Sequence, residues 1–524
     1  MGKNLNPGNS AFAESVKSDY VDKTGMIALI NSTIGTNKKL TCISRPRRFG
    51  KSYAAQMLCA YYDYTCDSHQ IFDKYKISKD PSYESHINKY QVICLDMTQL
   101  MKESQGIPVD EYITNRIKAE LKAAYPELVI DSSFSTTLLN AVEYLNRKFV
   151  IIIDEWDAPI RENAKTAKPY LEFLRSLFKS ITSTAKTFAA AYMTGILPIK
   201  KDGSQSAISD FREYPIINPG RFAEYTGFTE QEVKTLCEKH DMNFEDVKHW
   251  YDGYSFPKVA SIYNPYSVMM AMDSGEIESY WKQTSAAENL ITYIDIELHN
   301  TKSELQAKIL KLIAGEHLEV DVSGFNNDFQ TFNSDDDVLT LLIHLGYLAY
   351  DKTTKRVRIP NEEIRQEFDK LLKNNKPSKL TELITRSEKL LADTFAGNGD
   401  AVAEAIKNVR ATNYAPTFYN NEQSLRYAVK FAYIVCIDKY MKVEELASGK
   451  GLADVVYIPK SDTALPALVI ELKWEENADN AIDQIKKKDY PAVLKDYFGE
   501  IILVGINYDS NTNEHTCKIE RIIK

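Results

Sequence analysis

Gly50-Lys51-Ser52 follows a short apolar run, Leu40 to Ile43, that is broken at Pro46. The run reads as a buried strand, and Tyr53, Met57 and Leu58 then fall at helical spacing. Strand, loop and helix in that order can cradle phosphate. The loop amides and the helix N-terminus face the anion, Lys51 brings a mobile positive charge, and the Ser52 hydroxyl can ligate Mg²⁺. The spacing G-x-x-x-x-G-K-[ST] would place a first glycine at position 45, where this chain has Arg45. Taken alone, the triplet suits a basic loop capping a helix as well as it suits a phosphate site.

A second stretch tips the balance. Phe149 to Ile153 is an unbroken apolar run, too apolar for an exposed edge and suited to the core of a parallel sheet, and it ends in Asp154-Glu155. At the C-terminal end of such a strand, Asp154 can hold Mg²⁺ and Glu155 can polarise an attacking water. Asp157 reads instead as a cap at the strand-to-helix turn. Phe188 to Gly195 reads as a further parallel strand. Thr194 at its end either senses a terminal phosphate or caps the next turn.

A third constellation lies near the C-terminus. Gly451 to Ile458 and Ala467 to Lys473 are two strand patterns joined by a Pro/Ser/Asp turn. Side chains alternate along a strand, so Glu471 and Lys473 share a face, and a hairpin would bring Asp454 against them. Asp454 and Glu471 can bind Mg²⁺, which acidifies a bound water and takes up charge on a phosphodiester in transit, while Lys473 orients or deprotonates that water. This arrangement resembles that of metal-dependent nucleases of the PD-(D/E)XK superfamily. Lys486-Lys487-Lys488 nearby either steers phosphate or forms a solvated helix face.

Arg45-Pro46-Arg47-Arg48-Phe49-Gly50-Lys51-Ser52, preceded by Asp22-Lys23-Thr24 and followed by Asp154-Glu155-Trp156-Asp157-Ala158-Pro159, resembles the AAA-ATPase-like family. These are bacterial proteins commonly fused to a C-terminal PD-(D/E)XK nuclease domain. Met193-Thr194-Gly195-Ile196, Gly227-Phe228-Thr229, Trp250-Tyr251-Asp252-Gly253-Tyr254, Asn264-Pro265-Tyr266-Ser267 and Tyr280-Trp281 extend the likeness over nearly the whole chain. In that family the phosphate loop carries R-P-R-R-F-G-K-S, which accounts for Arg45. The resemblance implies ATP and Mg²⁺ as cofactors. It implies a nucleotide-binding set of Arg47, Arg48, Phe49, Gly50, Lys51, Ser52, Tyr53, Asp154 and Thr194, with Ser52 and Asp154 on the metal and Glu155 catalytic. It places Asp22 and Lys23 near the nucleotide, although a cap also explains Asp22. In the nuclease-like part it adds Glu422 as a further acidic ligand, and Gln484 and Tyr490 as contributors to the site.

The elements that must hold these groups follow from pattern. Strands alternating with helices to about residue 200 predict an α/β/α sandwich in the manner of P-loop NTPases. Expected divisions are 1–215 for this domain, 216–300 for a helical lid-like segment, 301–372 for a winged-helix-like unit, 373–412 for a helical connector and 413–524 for a restriction-endonuclease-like α/β domain. Thr229 with Glu232 three residues on is a capping box opening a helix. The aromatics between Trp250 and Ser267 read as packing residues.

The chain has 524 residues, 44% hydrophobic and 26% charged, which suits two or three globular domains. A net charge of −9 gives no global basic character, so nucleic acid as a partner, of either type, would need a local patch. Seven scattered cysteines without a C-x-x-C pair argue for a reducing compartment and against structural zinc. No signal core or apolar run of about 18 residues is present, so a cytoplasmic protein without a membrane partner is expected. Self-association into a homo-oligomer stays open. The leading expectation is an NTP-regulated, Mg²⁺-dependent nuclease, compatible with a defence or mobile-element setting. The alternative is a nucleotide-dependent switch or scaffold whose nuclease fold binds nucleic acid or protein without cleaving.

Overall fold

The structure is a computed structural model. It describes residues 2–523 except 163, 200–207, 209, 282–304, 326–333, 375–378, 414–418, 420, 437–439, 445–453, 461–464, 488–493, 495, 496 and 498. By internal contacts the chain forms two compact units, one of residues 1–293 and 319–364, the other of 294–318 and 365–524.

The first unit is built on a five-stranded sheet of β1 (Leu40–Ser44), β2 (Gln91–Asp96), β3 (Phe149–Asp154), β4 (Phe188–Gly195) and β5 (Arg212–Tyr214), in the order β2-β3-β4-β1-β5. Every pairing is parallel. Strand alternation sends Cys42, Ile93, Leu95, Ile151, Ile153 and Met193 into one hydrophobic cluster, with Ile117, Leu138 and Leu174 from covering helices. It sends Ile43, Val92, Val150, Ile152, Ala190 and Tyr192 to the other face, under Ile27, Ile30, Met57 and Leu58. Helices cover both faces, so the strands can be apolar throughout, as the runs Phe149–Ile153 and Phe188–Met193 require.

The described residues between 228 and 364 are mainly helical with small hairpins. The capping box forms as the sequence predicts, with Thr229 accepting from the Glu232 amide and Glu232 from the Thr229 amide. Helix Asp335–Leu345, the hairpin of Ala349–Asp351 and Arg356–Arg358, and helix Glu362–Asn374 follow in order.

The second unit holds a mixed sheet of β6 (Tyr440–Glu444), β7 (Val455–Pro459), β8 (Ala467–Trp474), β9 (Glu500–Asp509) and β10 (Glu514–Ile523), in sequence order. Only β8 and β9 run parallel. One face packs Leu468, Ile470 and Leu472 against Leu425, Ala428 and Val429 of the helix Glu422–Ala432 and against Val402 and Ile406. The other packs Val456, Val469 and Leu503 against Ile482 and Ile485 of the helix Ala478–Lys487.

β5, β6 and β10 were not predicted from sequence. All three lie at sheet edges. β5 has three residues, and β10 interleaves Glu514, His515, Lys518, Glu520 and Arg521 among its apolar positions, so neither carries an apolar run. Among the described residues no helix is long and apolar enough to cross a membrane.

Candidate active sites

The phosphate-loop region is positioned by β1, which lies between β4 and the edge strand β5, and by the helix α1 (Lys51–Tyr62). Gly50 caps α1 in the left-handed region, φ +80°, and a Cβ built there meets nothing within 4 Å, so the loop presents an open face beside the helix N-terminus. Arg48 also has positive φ, +70°. Lys51 is buried, donates to the Pro46 carbonyl oxygen at 3.0 Å and lies 3.4 Å from Glu155 Oε1.

β4 lies between β1 and β3, so the ends of all three strands meet. Asp154 stands in register with Thr194 on one side and with Asp96 on the other. Burial pushes the Asp154 carboxyl up to about 6, a hydrogen bond from Ser52 opposes the rise, and neighbouring Glu155 adds to it. Ser52 and Asp154 are therefore in contact, as two ligands of one cation would be. Glu155 has left-handed backbone, φ +51°. Burial works to raise its carboxyl, but the charges of Lys51, Arg161 and Arg47 outweigh burial and hold it below the ordinary range.

The remaining sequence-derived residues sort differently. The Phe49 ring is buried edge-on to Tyr254 with centroids 5.2 Å apart, which leaves its backbone alone to face a phosphate. The Arg48 guanidinium lies 4.2 Å from the Tyr266 ring centroid. Tyr53 is 58% exposed. Thr194 is fully buried at the end of β4. Asp157 does not cap a helix by its side chain. It accepts from the Ile196 and Leu197 amides at 3.2 and 2.9 Å and pairs with Arg161, fastening the turn after β4. Gly195 is required there, because a Cβ would come within 2.5 Å of Asp157 Oδ1. Asp22 accepts from Thr24 and from the Lys76 amide, and Lys23 pairs with Glu232 at 2.6 Å, so both are engaged in structural contacts. Arg45 is fully buried, donates to the carbonyls of Ser44 and Tyr214, and sits 5.7 Å from the Phe256 ring centroid. Burial pushes it down to about 9.

In the second unit, Val455 pairs with Ile470 in an antiparallel hairpin, so Asp454 comes opposite Glu471. Asp454 Oδ2 accepts from the Leu472 amide at 2.7 Å, and Oδ1 accepts from Arg426. Glu471 is buried, with Lys473 Nζ 3.9 Å from its Oε1. Glu422, first residue of the helix α2 (Glu422–Ala432), has a raised carboxyl through burial and then through Asp454, with Lys473 and Arg426 opposing. The hairpin and α2 thus bring Glu422, Asp454, Glu471 and Lys473 together. Gln484 is half-buried on the helix Ala478–Lys487 and forms no hydrogen bond to the cluster. Tyr490 and Lys488 lie outside the described residues. Lys486 pairs with Glu520 at 2.6 Å.

The carboxylate and hydroxyl donors of both clusters are hard oxygens, the set that suits Mg²⁺ rather than zinc. Among the described residues no three acidic, His or Cys side chains are already gathered as a metal-holding group. Internal cations stand between the acids: Lys51 and Arg161 at Glu155, Arg426 and Lys473 at Asp454 and Glu471. Arg161, Arg426 and Asp96 escaped the sequence reading. The spacing of four from Asp157 to Arg161 and from Glu422 to Arg426 was the available signal. Asp96 ends its apolar strand just as Asp154 does.

Comparison with known proteins identifies two domains. Residues 9–204 match the family model described as Predicted AAA-ATPase, and residues 420–517 match that of the PD-(D/E)XK nuclease superfamily. The chain carries an AAA-ATPase-like domain and a PD-(D/E)XK superfamily domain. No curated protein matches it. Among solved structures, the Walker-type ATPase PABY2304 of Pyrococcus abyssi aligns at TM-score 0.35 and 14% identity, covering 67% of this chain and 96% of that one. The Aeropyrum pernix ORC2 protein aligns at TM-score 0.30 and 11% identity, covering 68% and 96%. The AAA-ATPase-like domain contains both β1 with its loop and the Asp154-Glu155 strand end, and the PD-(D/E)XK domain contains Glu422, Asp454, Glu471 and Lys473.

Proposed function

We propose that the chain binds and hydrolyses ATP in its AAA-ATPase-like domain and uses nucleotide state to license Mg²⁺-dependent cleavage of nucleic acid phosphodiesters in its PD-(D/E)XK domain. The observation that carries this reading is the hairpin register that sets Asp454 opposite Glu471, with Lys473 and Glu422 beside them.

In the first domain Lys51 would exchange the Pro46 carbonyl for a phosphate, Ser52 and Asp154 would hold the cation, and Glu155 would orient water for attack. In the second, Asp454, Glu471 and Glu422 would hold Mg²⁺, which when bound would supply an acidified water and take up phosphate charge. Lys473 positions that water or takes its proton. A cytoplasmic setting and a defence or mobile-element role accord with this chemistry.

The test is digestion of DNA and of RNA with Mg²⁺, with and without ATP, by wild type and Glu471→Gln. Cleavage by wild type and its loss in Glu471→Gln is the expected result. If neither protein cuts under any nucleotide condition while wild type still binds nucleic acid or a protein, the domain is a binding scaffold and the nuclease reading is wrong.

A further inference from the structure

We infer that Arg426 is a resident counter-cation of the C-terminal acidic cluster, occupying the place of the divalent ion until the ion displaces it. The inference rests on the metal-dependent reading of that cluster given above.

Arg426 lies one turn beyond Glu422 on α2, so the two share a helix face, and its guanidinium is 3.9 Å from Glu422 Oε1. The same Nη2 donates to Asp454 Oδ1. The opposite oxygen of Asp454 is already held by the Leu472 amide, so the carboxylate is fixed in orientation with Oδ1 toward Arg426. Asp454 and Glu471 are buried, with 8% and 2% of their side chains exposed, and Arg426 keeps 18%. Buried carboxylates this close repel unless a cation lies among them. Lys473 serves Glu471, and Arg426 serves Asp454 and Glu422.

Such a cation stabilises the metal-free domain and weakens its affinity for metal, because a dication entering against a guanidinium meets repulsion and must also break a charge-assisted hydrogen bond.

The experiment measures Mn²⁺ affinity by the electron paramagnetic resonance signal of free Mn²⁺. It uses the full chain without nucleotide in an Asp154→Asn background that silences the first site, and compares Arg426, Arg426→Met and Arg426→Lys. Arg426→Met keeps length and removes charge. Its affinity should be about tenfold tighter, and its melting temperature should be lower without metal and recover on adding Mn²⁺. Arg426→Lys, a point charge that cannot bridge two carboxylates, should fall between. It decides the matter alone if Arg426→Met fails to fold. Equal or weaker affinity in these variants, with Glu471→Gln still abolishing binding, overturns the role of Arg426 and leaves the metal site standing. No binding in any protein, with Glu471→Gln indistinguishable from its parent, overturns the metal-site reading itself.

Discussion

Glu155 sits between Lys51 at 3.4 Å and Arg161 at 2.8 Å, in a backbone conformation that side-chain-bearing residues seldom adopt. Strain of this kind persists where surrounding structure over-determines it, and it clusters at working sites. Glu155→Gln keeps the shape and removes the charge. ATP turnover should fall by about two to three orders of magnitude while nucleotide binding is retained, which single-turnover kinetics and equilibrium titration separate. Equal loss of both would assign Glu155 to binding alone. Asp154 makes a second prediction. Its folded value of about 6 exceeds the reference 3.8, so the folded chain holds the proton more tightly. The penalty for ionising it is absent at low pH, grows as pH rises through this window and is complete above about 6. Without nucleotide, Asp154→Asn should therefore gain stability relative to wild type between pH 4 and 7, by up to about 3 kcal/mol, read from denaturant midpoints. A pH-independent difference would contradict the burial argument.

The phosphate loop is braced from behind by elements far along the chain. Phe49 abuts Tyr254, the Gly227 amide donates to the Phe49 carbonyl oxygen at 3.2 Å, and the Tyr254 hydroxyl donates to the Gly346 carbonyl oxygen. Gly346 ends the helix Asp335–Leu345 at φ +90°, and a Cβ there would lie 2.8 Å from Pro46 Cβ. Gly346→Ala is expected to strain the helix end and press on Pro46, weakening ATP binding several-fold and lowering stability by about 1 kcal/mol or more. Unchanged ATP affinity would show that the brace does not shape the loop. The sequence disclosed much at this scale. β1, β3 and β4 were legible because strands buried on both faces must be apolar throughout, and the helix start at Thr229 was legible from its cap, whereas the cap at Ser334 was not read. The bracing was not, because Gly346 and Pro46 are 300 positions apart and nothing local in either records the other.

At the scale of the molecule, the sequence marked the two domains but not how residues group within their candidate sites. Asp154, Asp454 and Glu471 were legible because each closes or precedes an apolar run, whereas Glu422 came only from the family resemblance. Arg161 and Arg426 were not, because charged residues on helices are common and only the fold reveals which face a carboxylate. Hydrogen exchange over the full chain tests the nucleotide site without assuming activity. ATP with Mg²⁺ should slow exchange in 45–57, 154–158 and 194–197, and absence of protection in 45–53 would remove the nucleotide from this loop. Arg45 carries a last consequence. Its side chain fills the space between Tyr214 and Phe256 behind the loop, where related motifs leave a residue with no side chain at all. Repairing the motif by Arg45→Gly would hollow out that wall, whereas Arg45→Met would keep it filled and discard the charge. Conformity to a consensus would here be a lesion, since a plug from the rear has taken over the shaping that emptiness provides elsewhere.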